Sequence, residues 1–393
     1  MWMVAALGSE HPIPHRRRWL VQGGLALAGT WIAGSRQAQA QASEPLKLAT
    51  CLPLSGEWAA QGRAVALGAQ AALAGAQVNG RPLALQVVDD AGRPEDALKR
   101  VQSLAADARV LGLLGLWGAE ANEAVLPLLE PARLPLVGPM TGSERLRSQA
   151  SRWCFPLRAG VSDEAARMLN QLDHQSLNDL ALVHTDDAFG LDTLAALQLE
   201  INRVVMRPVS VSVLAQDSQN LDSVLATVAA SKPHAVIVAA PTRPAATFIK
   251  RWVLQKGRAS IGVLADTGRG LPALLGEAGH GVAVSQVLPS PWRPTGPMVR
   301  GYQAAMRAAD PGQVDPRKLF GYDSLEGYIN ALTALKALQR SGRGFPSREA
   351  LLAGLEGLEL EGDGLNIKMG RSPRRGSRFG EITVLTADGL FRR

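Results

Sequence analysis

Three short stretches carry the side chains and turns that could do chemistry. In HTDDAFG, His184 to Gly190, a histidine and two aspartates follow an apolar run. That mix can ligate a metal, but an aspartate there also caps the next helix. No further ligands stand nearby in the sequence, so capping is the expected role. In GPMTGSERLR, Gly138 to Arg147, an apolar run ends in Gly-Pro, and Thr141, Gly142 and Ser143 precede a helical pattern. Backbone N–H groups at such a start can hold a carboxylate or similar anion, and Ser143 can equally cap the helix. In LADTGRG, Leu264 to Gly270, Asp266 follows another apolar run. An enzyme would need a titratable pair meeting in one place, for instance Glu120 with Asp266. The sequence has no phosphate loop of the form G-x-x-x-x-G-K-[ST], no G-x-G-x-x-G opening a helix, no G-x-S-x-G, no H-E-x-x-H and no Cys-x-x-Cys. Binding rather than catalysis is the expectation, with no cofactor and no metal.

The elements that must position these loops alternate regularly. Leu46–Leu52, Leu83–Val88, Val110–Leu116 and Leu134–Val137 are short apolar runs that read as strands. Between them Trp58–Val78, Glu95–Ala106 and Ala119–Leu129 have helical spacing. The alternation then restarts. Leu180–His184, Val209–Leu214, Ala235–Ala239 and Ile261–Leu264 read as strands, and Leu191–Asn202, Leu221–Ala230 and Ala245–Gln255 as helices. Repeated strand–helix units predict parallel sheets in an α/β fold.

Neither half closes on itself. Val282–Leu288 is extended and leads into LPSPWRPTGP, whose prolines exclude helix or central strand and predict a crossover. The helices Gly296–Ala309 and Leu319–Gln339 follow, and Glu381–Leu385 reads as a last strand. The long helix must bury its apolar face on the first half. The chain therefore crosses between two lobes more than once, which makes a hinged cleft. Ligands of open α/β sheets lie at the carboxyl ends of the strands, where all the loops above sit.

Composition supports an ordinary globular protein: 393 residues, 46% hydrophobic and 20% charged. Residues 1–42 stand apart. Arg16-Arg17-Arg18, an apolar middle and Ala38-Gln39-Ala40-Gln41-Ala42 read as an export signal of twin-arginine type, cleaved near Ala40 or Ala42. Its loss removes four arginines and one glutamate, taking the net charge from +7 to +4. The excess gathers in KMGRSPRRGSRFG and Arg392-Arg393, read as a solvated surface rather than a nucleic-acid site. Cys51 and Cys154 are either two buried thiols or one bridge.

The loops, in order, resemble those of the branched-chain-amino-acid-binding proteins of ABC transporters, the type I periplasmic binding protein fold. PLSGEWAAQGRAVALGAQAAL, LQVVDDAGRPEDALKRVQSL, LPLVGPMTGSERLR and ALVHTDDAFGLDTLAAL carry the resemblance, which spans residues 43–393. It implies two Rossmann-like lobes with parallel central sheets, joined by three crossovers into a clamshell. The lobes would be 43–157 plus 286–345 and 158–285 plus 346–393. It implies a periplasmic monomer that captures a small ligand, an amino acid or related carboxylate or amide, for the membrane permease of an ABC importer. A binding protein serving a receptor or sensor kinase is the alternative. The family's ligand carboxylate is held by a serine after the third strand, where this chain has Ala119 preceded by Trp117 and Gly118, and by amides of the turn at Met140, Thr141 and Gly142. The family's second-lobe aromatic matches Phe189, its ammonium-pairing acid falls at Asp266, and its first-loop tyrosine becomes Gln61, with Ser55 and Trp58 nearby. The missing hydroxyl weakens the case for an α-amino acid and leaves other acids, amides and aromatic acids open.

Overall fold

The computed structural model describes residues 44–148, 151–204, 206–342, 344–370 and 374–393. The expected export signal, residues 1–42, lies outside the described residues. Among them, no helix is long and apolar enough to cross a membrane.

The first lobe is built on a sheet of β1 (Leu46–Leu52), β2 (Gln77–Val78), β3 (Arg81–Asp89), β4 (Val110–Leu114), β5 (Leu136–Val137) and β6 (Cys154–Phe155), in the order β2-β3-β1-β4-β5-β6. The second lobe holds β7 (Asp179–His184), β8 (Arg207–Val213), β9 (Ala235–Ala239), β10 (Ser260–Val263), β11 (Ala283–Gln286), β14 (Glu381–Leu385) and β15 (Phe391–Arg392), in the order β15-β14-β11-β10-β9-β7-β8. β4 and β9 are buried along their whole length. Continuous apolar strands of this kind need helices on both faces, which parallel pairing supplies. The β1–β3, β1–β4, β7–β8 and β7–β9 pairs are parallel. The strand order reverses between β1 and β4, and again between β7 and β9. A crevice opens at each reversal, and the two face the same cleft.

The first-lobe helices are α1 (Ala59–Leu73), α2 (Pro94–Ala106), α3 (Ala119–Leu129) and α4 (Arg145–Ser148). The second lobe contributes α5 (Val161–His174), α6 (Ala188–Ile201), α7 (Leu221–Ser231), α8 (Thr242–Leu254), α9 (Ala265–Gly268) and α10 (Leu271–Leu275). The chain then returns to the first lobe for α11 (Pro297–Ala309), α12 (Pro316–Leu319), α13 (Tyr322–Arg340) and α14 (Arg348–Leu355), and for the hairpin β12 (Glu359–Gly362) with β13 (Leu365–Lys368). α13 crosses α1 at backbone contact. A Cβ on Gly68 would lie 1.8 Å from the Ser324 carbonyl oxygen, and one on Gly327 2.2 Å from that of Val65. Only glycine permits that approach.

Three boundaries differ from the sequence reading. The first helix stops at Leu73, because Gly75 takes φ +69° and turns the chain into the short strand β2. The expected helix 319–339 is interrupted at Phe320-Gly321, both extended, which separates α12 from α13. The chain stays packed on the first lobe beyond Phe345, as far as Arg374, which donates to the carbonyls of Ser151 and Arg152. Leu351, Leu352, Leu355, Leu365 and Ile367 belong to the first-lobe core. Arg348 ties its segment there by donating to the carbonyls of Ala105, Val110 and Ala132. Cys51 and Cys154 are both free and buried, and burial pushes each thiol up to about 12.

Candidate functional site

The cleft contains a chamber of about 240 Å3, walled by both lobes. The first lobe supplies Trp58, Trp117, Gly118, Ala119 and Met140, and the second supplies Phe189, Thr242, Asp266 and Arg269. Local structure explains why these residues meet. Trp117 and Met140 form an isolated parallel bridge beyond β4 and β5, so both strands deliver a side chain to one wall. Trp58 precedes α1, and its ring lies 5.9 Å from that of Trp117 at an angle of 36°. The Arg269 guanidinium lies 5.1 Å from the centre of the Trp117 ring, within cation–π range. Gly118 takes φ +79°, which turns the chain sharply into α3. Its lack of a side chain leaves the first amides of α3 without a side-chain cap. Gly118, Ala119 and Glu120, at that helix start, form part of the chamber wall.

Most of the residues expected at the site are thus brought together: Trp58, Trp117, Gly118, Ala119, Met140, Phe189 and Asp266 line this chamber. Thr141 lies beside it, in a small crevice shared with Phe189 and Asp266. Two residues lie elsewhere. Ser55 is exposed, and its hydroxyl donates to Asp89 at 2.7 Å, fixing the first loop to the end of β3. Gln61 lines a second interlobe cavity of about 290 Å3, together with Trp292, Tyr322, Asp323, Phe391 and the other side of Arg269. In HTDDAFG, His184 is buried against the Thr185 carbonyl, and Asp187 caps α6 by accepting from the Gly190 amide at 2.7 Å.

The turn at 140–143 does hold an anion, and that anion is the protein's own. Asp266 Oδ2 accepts from the Gly142 amide at 2.9 Å and from the Thr141 hydroxyl at 3.2 Å. Asp266 Oδ1 lies 2.8 Å from Arg158 Nη1 and 3.5 Å from Arg269 Nε. Burial pushes this carboxyl up, but the guanidiniums of Arg158 and Arg269 outweigh that and hold it at about 2.

Arg158 stands at the expected junction of the lobes, between 157 and 158. It is 2% exposed and also faces Glu164 at 3.4 Å and Glu326 at 3.8 Å. Arg269 donates to Asp323 at 2.7 Å and to Glu326. Two guanidiniums, that of Arg158 buried and that of Arg269 half-buried, thus serve four carboxylates drawn from both lobes. Desolvation outweighs Arg158 at the Glu164 carboxyl and raises it to about 7. Arg147, also buried, shapes the turn by donating to the carbonyls of Thr141, Ser143, Arg158 and Ala159. Nothing in the local sequence marks these arginines, because their partners lie up to 168 residues away in the chain (Arg158 to Glu326).

Residues 45–389 match the family described as periplasmic binding protein. No curated protein matches the chain. Several solved structures share the fold. A substrate-binding periplasmic protein from Ralstonia solanacearum is 25% identical, with TM-score 0.77, over 88% of this chain and 99% of that one. A possible leucine/isoleucine/valine-binding protein from Rhodopirellula baltica is 23% identical, with TM-score 0.78, over 90% and 97%. A solute-binding protein of an ABC transporter from Rhodopseudomonas palustris, solved with p-hydroxybenzoic acid, is 17% identical, with TM-score 0.75, over 88% and 95%. The two-lobed clamshell expected from the loops is the type I fold of that family.

Proposed function

The chain belongs to the periplasmic binding protein family, and we propose that it is an extracytoplasmic substrate-binding protein that delivers a small carboxylate to the permease of an ABC importer. One observation carries this reading: a chamber of about 240 Å3 whose walls come from both lobes. That volume suits a ligand of amino-acid size. A ligand touching both walls favours the closed clamshell, and the closed form presents a different surface to a permease than the open one.

Within the chamber, the amides at the start of α3, which no side chain of Gly118 caps, are the donors for the ligand's carboxylate, in place of the family's serine hydroxyl. Trp58, Trp117, Met140 and Phe189 flank its apolar body. The neighbour named as a possible leucine/isoleucine/valine-binding protein and the one solved with p-hydroxybenzoic acid bracket the ligand classes to be tried.

The test is thermal unfolding of the purified protein against branched-chain and aromatic amino acids, amides, small keto acids and aromatic carboxylates. A ligand at 100 times its dissociation constant adds about 2.7 kcal/mol of stability. A clear upward shift with one class supports the reading. No shift across the whole panel overturns it.

A further inference from the structure

The fate of Asp266 narrows the ligand class, given the reading of the chamber as the ligand site. A clamshell that takes α-amino acids needs a carboxylate available to the ligand's ammonium. Among the residues lining the chamber, the acids are Asp266 and Glu120. Glu120 is exposed, so water competes for it at full strength. Asp266 is engaged at both oxygens by four groups of the protein: Arg158, Arg269, the Gly142 amide and the Thr141 hydroxyl.

Arg158 cannot yield its place. It is 2% exposed, and Glu164, Asp266 and Glu326 surround it. An ammonium arriving at Asp266 would be stripped of water beside two guanidiniums, one of which already forms part of the chamber wall. Like charges at such distances repel strongly where water is excluded. A ligand without that ammonium meets no such penalty. Trp58, Trp117, Phe189 and Met140 offer it indole, phenyl and thioether surface.

We propose that this cleft selects carboxylates with a flat or branched apolar body and no α-ammonium, and that Arg158 sets that preference by sequestering Asp266. Arg158 acts as a positioning residue, since it reaches the chamber only through Asp266.

Matched pairs test this by calorimetry on the purified protein: 3-phenylpropanoate against phenylalanine, and 4-methylpentanoate against leucine. In at least one pair the acid lacking the amino group binds at least tenfold more tightly than its partner. Equal or tighter binding of the amino acid in both pairs overturns the proposal and leaves the transport reading standing. No binding by any of the four also overturns it. A hit elsewhere in the wider panel would then preserve the transport reading, and a blank panel would end both. The variant Arg158→Met removes one of the two guanidiniums held against Asp266 and moves the ratio of the two affinities at least tenfold toward the amino acid, whereas Arg158→Lys moves it less. If Arg158→Met does not fold, Asp266→Asn serves: the ratio stays within about threefold, and a selective loss of amino-acid binding overturns the proposal.

Discussion

The amide of Gly142 donates to Asp266 Oδ2 at 2.9 Å across the interlobe cleft. The turn that begins at Gly138 has the form of an anion cradle, and the anion it holds is a side chain of the opposite lobe. A contact of this kind clasps the lobes directly. A second one lies close by, where the Glu144 amide donates to Asp192 of α6 at 3.1 Å. The balance between open and closed forms is therefore set partly by protein–protein hydrogen bonds and partly by ligand contacts.

Thr141→Val tests the clasp. It removes the hydroxyl bond to Asp266 and the acceptor for the Ser143 amide, 3.1 Å away. A hydrogen bond to a charged group contributes about 1.5–3 kcal/mol. The variant shifts the population toward the open form, seen in small-angle scattering as a larger radius of gyration. Saturating ligand restores the compact form. An unchanged scattering curve would show that the clasp does not hold the lobes.

Glu164 gives the protein a pH dependence near neutrality. It lies 1% exposed between the Arg158 guanidinium and the Ala265 amide, with Asp266 close by. Burial raises it from its ordinary 4.5 to about 7. Between those values the unfolded chain binds fewer protons than the folded one, so stability falls as pH rises. The contribution is full below about 4.5 and is lost as pH passes 7, with a slope of at most about 1.4 kcal/mol per pH unit. Asp266 has the opposite sign. Its contribution is present above about 4 and is lost as pH falls toward 2. Urea unfolding between pH 5 and 8 shows the Glu164 effect, and Glu164→Gln flattens that profile.

The sequence made the scaffold legible because its signals are local. AVIVA at 235–239 and AEANEAVLPLL at 119–129 are bounded where the apolar pattern and the turn residues bound them. The strand-end loops, and with them Trp117, Met140 and Phe189, follow directly from that. What could not be read is nonlocal. Asp266 is an apt ammonium partner by position alone, and only the fold brings Arg158 to it from 108 residues away. The segment after Phe345 looks like any helix–hairpin unit, and its lobe is decided by where Arg348 finds carbonyl partners. Ser55 and Gln61 sit at suitable positions in the first loop, yet one is drawn to Asp89 and the other to the far side of Arg269.

Gly68 is a packing requirement of the first lobe. A methyl group there would meet the Ser324 carbonyl at 1.8 Å, well inside contact distance. α1 and α13 would have to separate, opening a core that holds Leu325 and Ile329. Gly68→Ala costs several kcal/mol, at or above the usual 1–3 kcal/mol for overpacking, because the obstacle is backbone. The readout is the urea midpoint, with Gly75→Ala as a contrast: Gly75 has open space around it but φ +69°, so it loses only about 1 kcal/mol.

Trp58 and Trp117 decide whether the chamber recognises an apolar body. Their rings lie 5.9 Å apart, and Trp117 also carries the Arg269 guanidinium on its face. Trp58→Ala removes one aromatic wall while leaving the α3 amides and Asp266 untouched. The expected loss of affinity is about 10–100-fold, or roughly 1.4–2.7 kcal/mol. Trp117→Ala loses as much and also leaves Arg269 without its ring, so its thermal midpoint falls as well. Calorimetry with the best ligand of the panel gives the affinities. Ligand-induced quenching of indole fluorescence, reduced in both variants, locates the ligand between the two rings. Retained affinity in both variants would move the ligand out of this chamber and toward the cavity beyond Arg269.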